Sequence, residues 1–179
     1  MTRRRVAPAG SVRVGIGVDQ HAVELTPGRP LVLAGIVIPG APGLRAHSDG
    51  DVVLHAVFNA ISSGLGNRSI GWYHSDRDER RRGAASCEYL KTTRAMLDRQ
   101  GFVVGNLAAA IECKAPRIEP HVPAMKKSLA RLLDCPAGAI GITASTGEGL
   151  SAYGQGRGIL VQAVVTLVAT PAPPRRRVG

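Results

Sequence analysis

The sequence predicts an α/β (α+β) protein in which a mixed sheet carries helices on one face. Segments rich in β-branched residues stand near both ends of the chain, at Val12–Val18 and Ile159–Val168. Helical periodicity sets in after residue 51, and strand-like and helix-like segments alternate from there to the end. The length of 179 residues suits one domain with a sizeable core. Aromatic residues make up only 3% of the chain, so that core must be aliphatic.

Val12 to Val18 reads as a strand ending at Asp19, and residues 22–29, with Pro and Gly, as a turn. Leu31 to Ile38 reads as a second strand closed by Pro39-Gly40. A Gly/Pro-rich loop then leads to His47-Ser48-Asp49-Gly50-Asp51. Beyond it Val52, Leu54, His55, Phe58, Ile61 and Leu65 recur mostly at three- and four-residue spacing, which is a helix. Asp49 or Asp51 can cap it, because a short carboxylate accepts bonds from free amides at a helix start.

Residues 66–83 are mostly polar and read as a long loop. A second helix is expected over Ala84–Gln100, a strand over Phe102–Glu112 and a two-proline loop over Cys113–Pro120. A helix follows through Leu133, stopped by Pro136. Ile140–Ser145 and Ile159–Val168 are the last strands, separated by the Gly-rich stretch Gly147–Gly158. There is no internal repeat, and the organisation is a basic tail (1–11), one domain (12–169) and a second basic tail (170–179).

The net charge of +10 raises the question of nucleic acid. Arg3–Arg5 and Arg175–Arg177 lie in the tails, and removing them removes six of those ten charges. A third cluster, Arg80–Arg82, follows Asp76, Asp78 and Glu79. No aromatic residues interleave with these arginines to stack on bases, so no nucleic-acid partner is expected. No apolar run reaches the roughly 20 residues of a membrane span. Three scattered cysteines, Cys87, Cys113 and Cys135, form no CxxC pair and read as reduced thiols. With no secretory signal, the expectation is a cytoplasmic protein.

Asp19 and His21 stand two apart at a strand end, so both project to one side of it. His55 lies one helical turn after Asp51 and can supply a third ligand. A carboxylate and two imidazoles leave a tetrahedral Zn²⁺ one open position, as catalytic zinc sites do. Taken alone the pattern is common, since a lone helical histidine is more often a core or surface residue.

The wider pattern is far more specific. Asp19-Gln20-His21, then Ala46-His47-Ser48-Asp49-Gly50-Asp51-Val52, then Leu54-His55-Ala56, resembles the signature of the 2-C-methyl-D-erythritol 2,4-cyclodiphosphate synthase family. Ile70-Gly71, Asp76-x-Asp78, Gly83-Ala84, Ser86, Gly105-Asn106, Ala115-Pro116, Pro120-His121-x-Pro123-x-Met125 and Thr146-x-Glu148 extend the likeness from about Val12 to Leu167.

The resemblance implies a ferredoxin-like subunit, a homotrimer, and active sites between neighbouring subunits. It implies cyclisation of a CDP-linked methylerythritol 2-phosphate with release of CMP, a step of non-mevalonate isoprenoid synthesis. The substrate's own phosphate attacks, so catalysis is positioning and charge neutralisation. Asp19, His21 and His55 would then bind Zn²⁺, and Glu148 a second divalent ion, Mg²⁺ or Mn²⁺. His47 and Ser48 would contact a substrate phosphate, and Ser145 and Thr146 the diphosphate. Cys113, Ala115, Pro116, Arg117 and Ile118 would form the cytosine loop. Asn59, Ser69 and Asp76 would complete the substrate shell.

Several positions depart from that pattern. Ser69, in Arg68-Ser69-Ile70-Gly71, replaces an acid expected on the methylerythritol hydroxyls. Asn59 replaces an aspartate expected on the ribose, keeping hydrogen bonds but not charge. His74-Ser75 stands for Phe-Pro, and Arg117 for a lysine. Gln155 and Arg157 stand for an Arg and a Glu at the trimer axis, where three Arg157 side chains imply a bound phosphate or diphosphate. Such changes suit a drifted synthase. They also suit a paralogue acting on another CDP-linked phosphate, or a non-catalytic nucleotide-binding trimer.

Overall fold

The strand expected over Leu31–Ile38 is two strands in the computed structural model, which describes residues 10–25, 28–75 and 83–170. β1 (Val12–Ala22) precedes a ribbon of β2 (Pro30–Leu33) and β3 (Ile36–Pro42). Leu33 pairs with Ile36, so the turn is Ala34-Gly35, with φ of 55° and 76°. Two consecutive left-handed residues make the tight turn whose twist matches a hairpin. An apolar residue at its first position hid the turn in the sequence.

The turn is held from outside the ribbon. The amides of Ala34 and Gly35 donate to the Asp51 carboxylate at 2.9 and 2.6 Å, and the Leu54 amide donates to it at 3.1 Å. Asp51, not Asp49, therefore caps α1 (Val52–Gly64) and ties its start to the hairpin tip. Burial pushes the Asp51 carboxyl up from 3.8 to about 6, against the pull of those three amides, and the charge of Asp49 adds to the rise.

The expected loop over 66–83 contains a short helix, α2 (Ile70–Tyr73). The helix expected over Ala84–Gln100 begins as a 3₁₀ turn at Ser86–Tyr89 and becomes α3 (Leu90–Gln100). After β4 (Phe102–Glu112), a 3₁₀ turn at Glu119–His121 leads into α4 (Val122–Leu133). β5 (Ile140–Ser145) and β6 (Gly158–Ala169) are the last of the described strands.

The sheet has the order β1-β6-β4-β5, with β4 and β5 parallel and the other neighbours antiparallel. It is mixed, as expected, and its helices lie on one face: α1 against β1 and β6, α3 against β4, α4 against β5. The core is aliphatic. Phe58, Phe102 and Tyr89 are its buried aromatic side chains among Leu, Ile, Val and Ala. On the opposite face Val12, Val14, Ile16, Val18 and Val164 are exposed.

Gly15 and Gly17 let α1 come down onto β1. A Cβ at 15 would overlap the carbonyl of Ala60, and one at 17 that of Ala56. Any larger residue would lift the helix from the strand. Among the described residues no helix is long and apolar enough to cross a membrane. Asp76, Arg80–Arg82 and both arginine-rich tail clusters lie outside the described residues.

Candidate functional site

Strand alternation puts Asp19 and His21 on one face of β1, and the close helix packing brings His55 of α1 to them. Asp19 Oδ2 lies 3.1 Å from His21 Nε2 and 3.1 Å from His55 Nδ1, and the two ring nitrogens are 3.2 Å apart. Neighbouring donors on a tetrahedral zinc stand about 3.3 Å apart, so this triangle has the size of one face of such a site. Among the described residues, these three form the metal-compatible group of histidine, cysteine and acid side chains.

The Asp19 carboxyl is partly buried, which alone would raise its pKa. Hydrogen bonds and the charges of His21 and His55 outweigh that and bring it from 3.8 down to about 2. Asp19 is thus held ionised, as a metal ligand must be.

His55 is oriented from behind. Its Nε2 lies 2.9 Å from Ser86 Oγ and 3.3 Å from Ser48 Oγ. Ser86 donates its hydroxyl to Asp49 Oδ1, and its amide donates to Asp49 Oδ2 at 3.0 Å. With the Ser86 proton committed to Asp49, His55 Nε2 carries hydrogen and donates, so Nδ1 is the nitrogen that can ligate a metal, giving up the proton it shares with Asp19. Tyr89 stacks on His55, with ring centroids 6.0 Å apart, and on His74, at 4.3 Å.

The triad opens into a cleft of about 270 Å³ that His47, Ser48, Arg45, Ile70 and Gly71 also line. His47 and Ser48 therefore lie beside the Asp19–His21–His55 triangle. Asn59 is one turn beyond His55, and its Oδ1 accepts the Ile70 amide at 2.9 Å. Its carbonyl holds the segment that carries Ser69, which is exposed. Asp76 falls among the residues not described.

The remaining expected site residues gather elsewhere. Cys113, Pro116, Arg117, Ile118, Ser145 and Thr146 line a second cleft of about 180 Å³. It shares no lining residue with the first. Ala115 precedes Pro116 across a cis bond, and the Cys113 thiol, raised by burial and by the charge of Glu112, donates to the Pro116 carbonyl. Glu148 is exposed, with φ of 49°, between Gly147 and Gly149. Arg157 is exposed and donates to Gln155 at 3.2 Å.

The register measures the separation of the two clusters. Gln20, Leu160, Glu112 and Ser145 form one row across β1, β6, β4 and β5. Three strand spacings place Ser145 about 14 Å from the Asp19–His21 strand end. One chain alone does not bring the two together.

Sequence reasoning named Ser86 as a motif match and Asp49 as a motif match and possible helix cap, and missed their relay to His55. It also missed Arg45 and Tyr89 as walls of the cleft. The one available signal was Ser86 near the start of a helix, a position that says nothing of a distant histidine.

A family model described as YgbB family matches residues 12–168. The chain is 40% identical over 157 residues to the 2-C-methyl-D-erythritol 2,4-cyclodiphosphate synthase of Pelobacter propionicus, covering 88% of this chain and 98% of that one. A solved 2C-methyl-D-erythritol-2,4-cyclodiphosphate synthase in its CDP-bound form superposes with a TM-score of 0.78 at 37% identity, over 87% of this chain and 99% of that one. The bifunctional IspDF of Campylobacter jejuni gives 0.84 at 33% identity; 90% of this chain is covered but only 43% of that one.

Proposed function

The chain belongs to the YgbB family, and from that premise we propose that it is a 2-C-methyl-D-erythritol 2,4-cyclodiphosphate synthase. The observation that carries this is the Asp19–His21–His55 triangle, of tetrahedral size and open to a cleft, in a chain so similar to named synthases. The substrate is a CDP-linked methylerythritol 2-phosphate. An oxygen of its 2-phosphate forms the new bond to the β-phosphorus, while the bond from that phosphorus to the CMP oxygen breaks. No protein nucleophile is needed, and the work left to the protein is alignment and neutralisation of charge.

Zinc at the triad would supply Lewis-acid polarisation of the attacked phosphate. Asp19 and His55, fixed by the contacts described, hold that site in register with His47 and Ser48, which face a phosphate from the same cleft. Ser145 and Thr146 steady the diphosphate, and Glu148 would hold the second divalent ion, Mg²⁺ or Mn²⁺. Cys113, Ala115, Pro116, Arg117 and Ile118 wrap the cytosine, largely through backbone groups.

The active unit we propose is a homotrimer with sites between subunits. Two points support it: three strand spacings put Ser145 about 14 Å from the Asp19–His21 strand end, and an aliphatic sheet face including Val14 and Ile16 is exposed. A patch of that kind marks an association surface. Three free thiols among the described residues suit a cytoplasmic setting.

The test is turnover. Zinc- and magnesium-loaded protein is given CDP-methylerythritol 2-phosphate, and CMP release is followed by phosphorus NMR beside His55→Ala. Cyclic diphosphate from the wild type only is expected. No turnover, with zinc and CDP still bound, would overturn this substrate and favour another CDP-linked phosphate, in keeping with the uncharged, exposed Ser69.

A further inference from the structure

We propose that Glu112 is a positioning residue for the divalent-ion site at Glu148, acting through Ser151 to clamp the loop that presents Thr146 and Glu148. This rests on the assignment of Glu148 made above.

Glu112 ends β4, paired with Ser145 on one side and Leu160 on the other. Its carboxylate accepts the Ser151 hydroxyl, and Ser151 Oγ in turn accepts the amides of Tyr153 and Gly154 at 3.1 and 3.0 Å. One carboxylate thereby organises the far side of the loop through a single hydroxyl. The near side is organised by contact: a Cβ at 147 would overlap Glu112 Oε1, so the carboxylate rests on bare Gly147. Gly154 likewise packs against the Thr146 carbonyl and the backbone of Gly149, where a Cβ has no room. The clamp therefore closes on both flanks of Glu148.

Glu148 needs such support. Gly147, Glu148 and Gly149 take φ of 59°, 49° and 71° in succession. Glycine adopts that region freely, whereas a glutamate stays there only when its surroundings dictate it. Left to itself the loop would relax, and the Glu148 carboxylate would point in many directions. A partner one residue removed from an ion ligand commonly changes metal affinity by about 10–100-fold.

The experiment compares Glu112→Ala, Glu112→Gln, Ser151→Ala and the Glu112→Ala/Ser151→Ala pair in zinc-loaded full-length protein with CDP. Mn²⁺ affinity is read by paramagnetic resonance and the Tyr153 and Gly154 amides by hydrogen exchange, with zinc content as the check on folding. Glu112→Ala and Ser151→Ala should each weaken Mn²⁺ about 10-fold and expose both amides, and the pair should be no worse than either alone. Glu112→Gln, whose carbonyl still accepts the Ser151 hydroxyl, should restore both readouts. Unchanged exchange in Glu112→Ala, or a glutamine variant as weak as the alanine one, would overturn the proposal. Glu148→Ala with unchanged Mn²⁺ affinity would overturn its ion-binding half by removing the assignment beneath it, whereas exchange decides the clamp independently.

Discussion

The hydroxyl of Ser86 lies 2.9 Å from Nε2 of His55 and donates its own proton to Asp49, so it can only accept from the imidazole. That fixes which nitrogen of His55 faces Asp19. Ser86→Ala removes the acceptor and frees the ring to turn. Zinc affinity should fall about 10–100-fold, or about 1.4–2.7 kcal/mol. Competition against a chromophoric chelator reads this directly. Unchanged affinity would mean that Ser48, at 3.3 Å, orients the ring unaided.

Gly17 precedes Asp19 by two residues and lies under the Ala56 carbonyl, next to His55. Gly17→Ala must push α1 away from β1, the two elements that carry the Asp19–His21–His55 triangle. Overpacking of this kind costs about 1–3 kcal/mol. Zinc binding should weaken with it, because the Asp19–His55 distance of 3.1 Å spans the same gap. Chemical denaturation and zinc titration of the variant check both effects. A loss of stability with zinc affinity intact would show that the strand end adjusts independently of the helix.

How much of this was legible follows from the range of each interaction. Asp19 and His21 could be placed on one side of a strand by alternation, and His55 on a helix by spacing, because both are local periodicities, but grouping the three rested on the family resemblance. The mixed sheet followed from the order of β-rich and helical segments. Contacts between distant positions left no such trace. Ser86 reaches His55 across 31 residues, Ser151 reaches Glu112 across 39, and neither pair has a spacing that encodes it. The Ala34-Gly35 turn was hidden because Asp51, 17 residues on from Ala34, receives both of its amides. The division of the expected site residues into two clefts appeared only once strand order was known.

Asp51 gives a pH signature. Its folded-state value is raised from 3.8 to about 6, so folding favours the protonated form. That contribution is fully present below about 3.8 and is lost as pH rises through about 6. The loss amounts to about 3 kcal/mol across the roughly two-unit shift. Asp51→Asn cannot titrate. The stability of the wild type relative to this variant should therefore fall by about 3 kcal/mol between about pH 3.5 and about pH 7. Urea unfolding at the two pH values checks it, and a difference that grows with pH would contradict the direction.

The exposed sheet face separates assembly from metal binding. Val14 and Ile16 are 66% and 60% exposed and project away from α1, so a charge there disturbs nothing in the core. Ile16→Glu should fold, and it should keep zinc, because Asp19, His21 and His55 all come from one chain. If subunits meet across this face, the same substitution places three carboxylates together in an apolar contact and prevents it. Sedimentation should then show a trimer for the wild type and a monomer for the variant. CMP release should fall by at least about 100-fold, since the clusters proposed to hold phosphate and cytosine lie about three strand spacings, roughly 14 Å, apart within a chain. A variant that is monomeric yet fully active would break the link between assembly and catalysis. One that stays trimeric would place the interface on another surface.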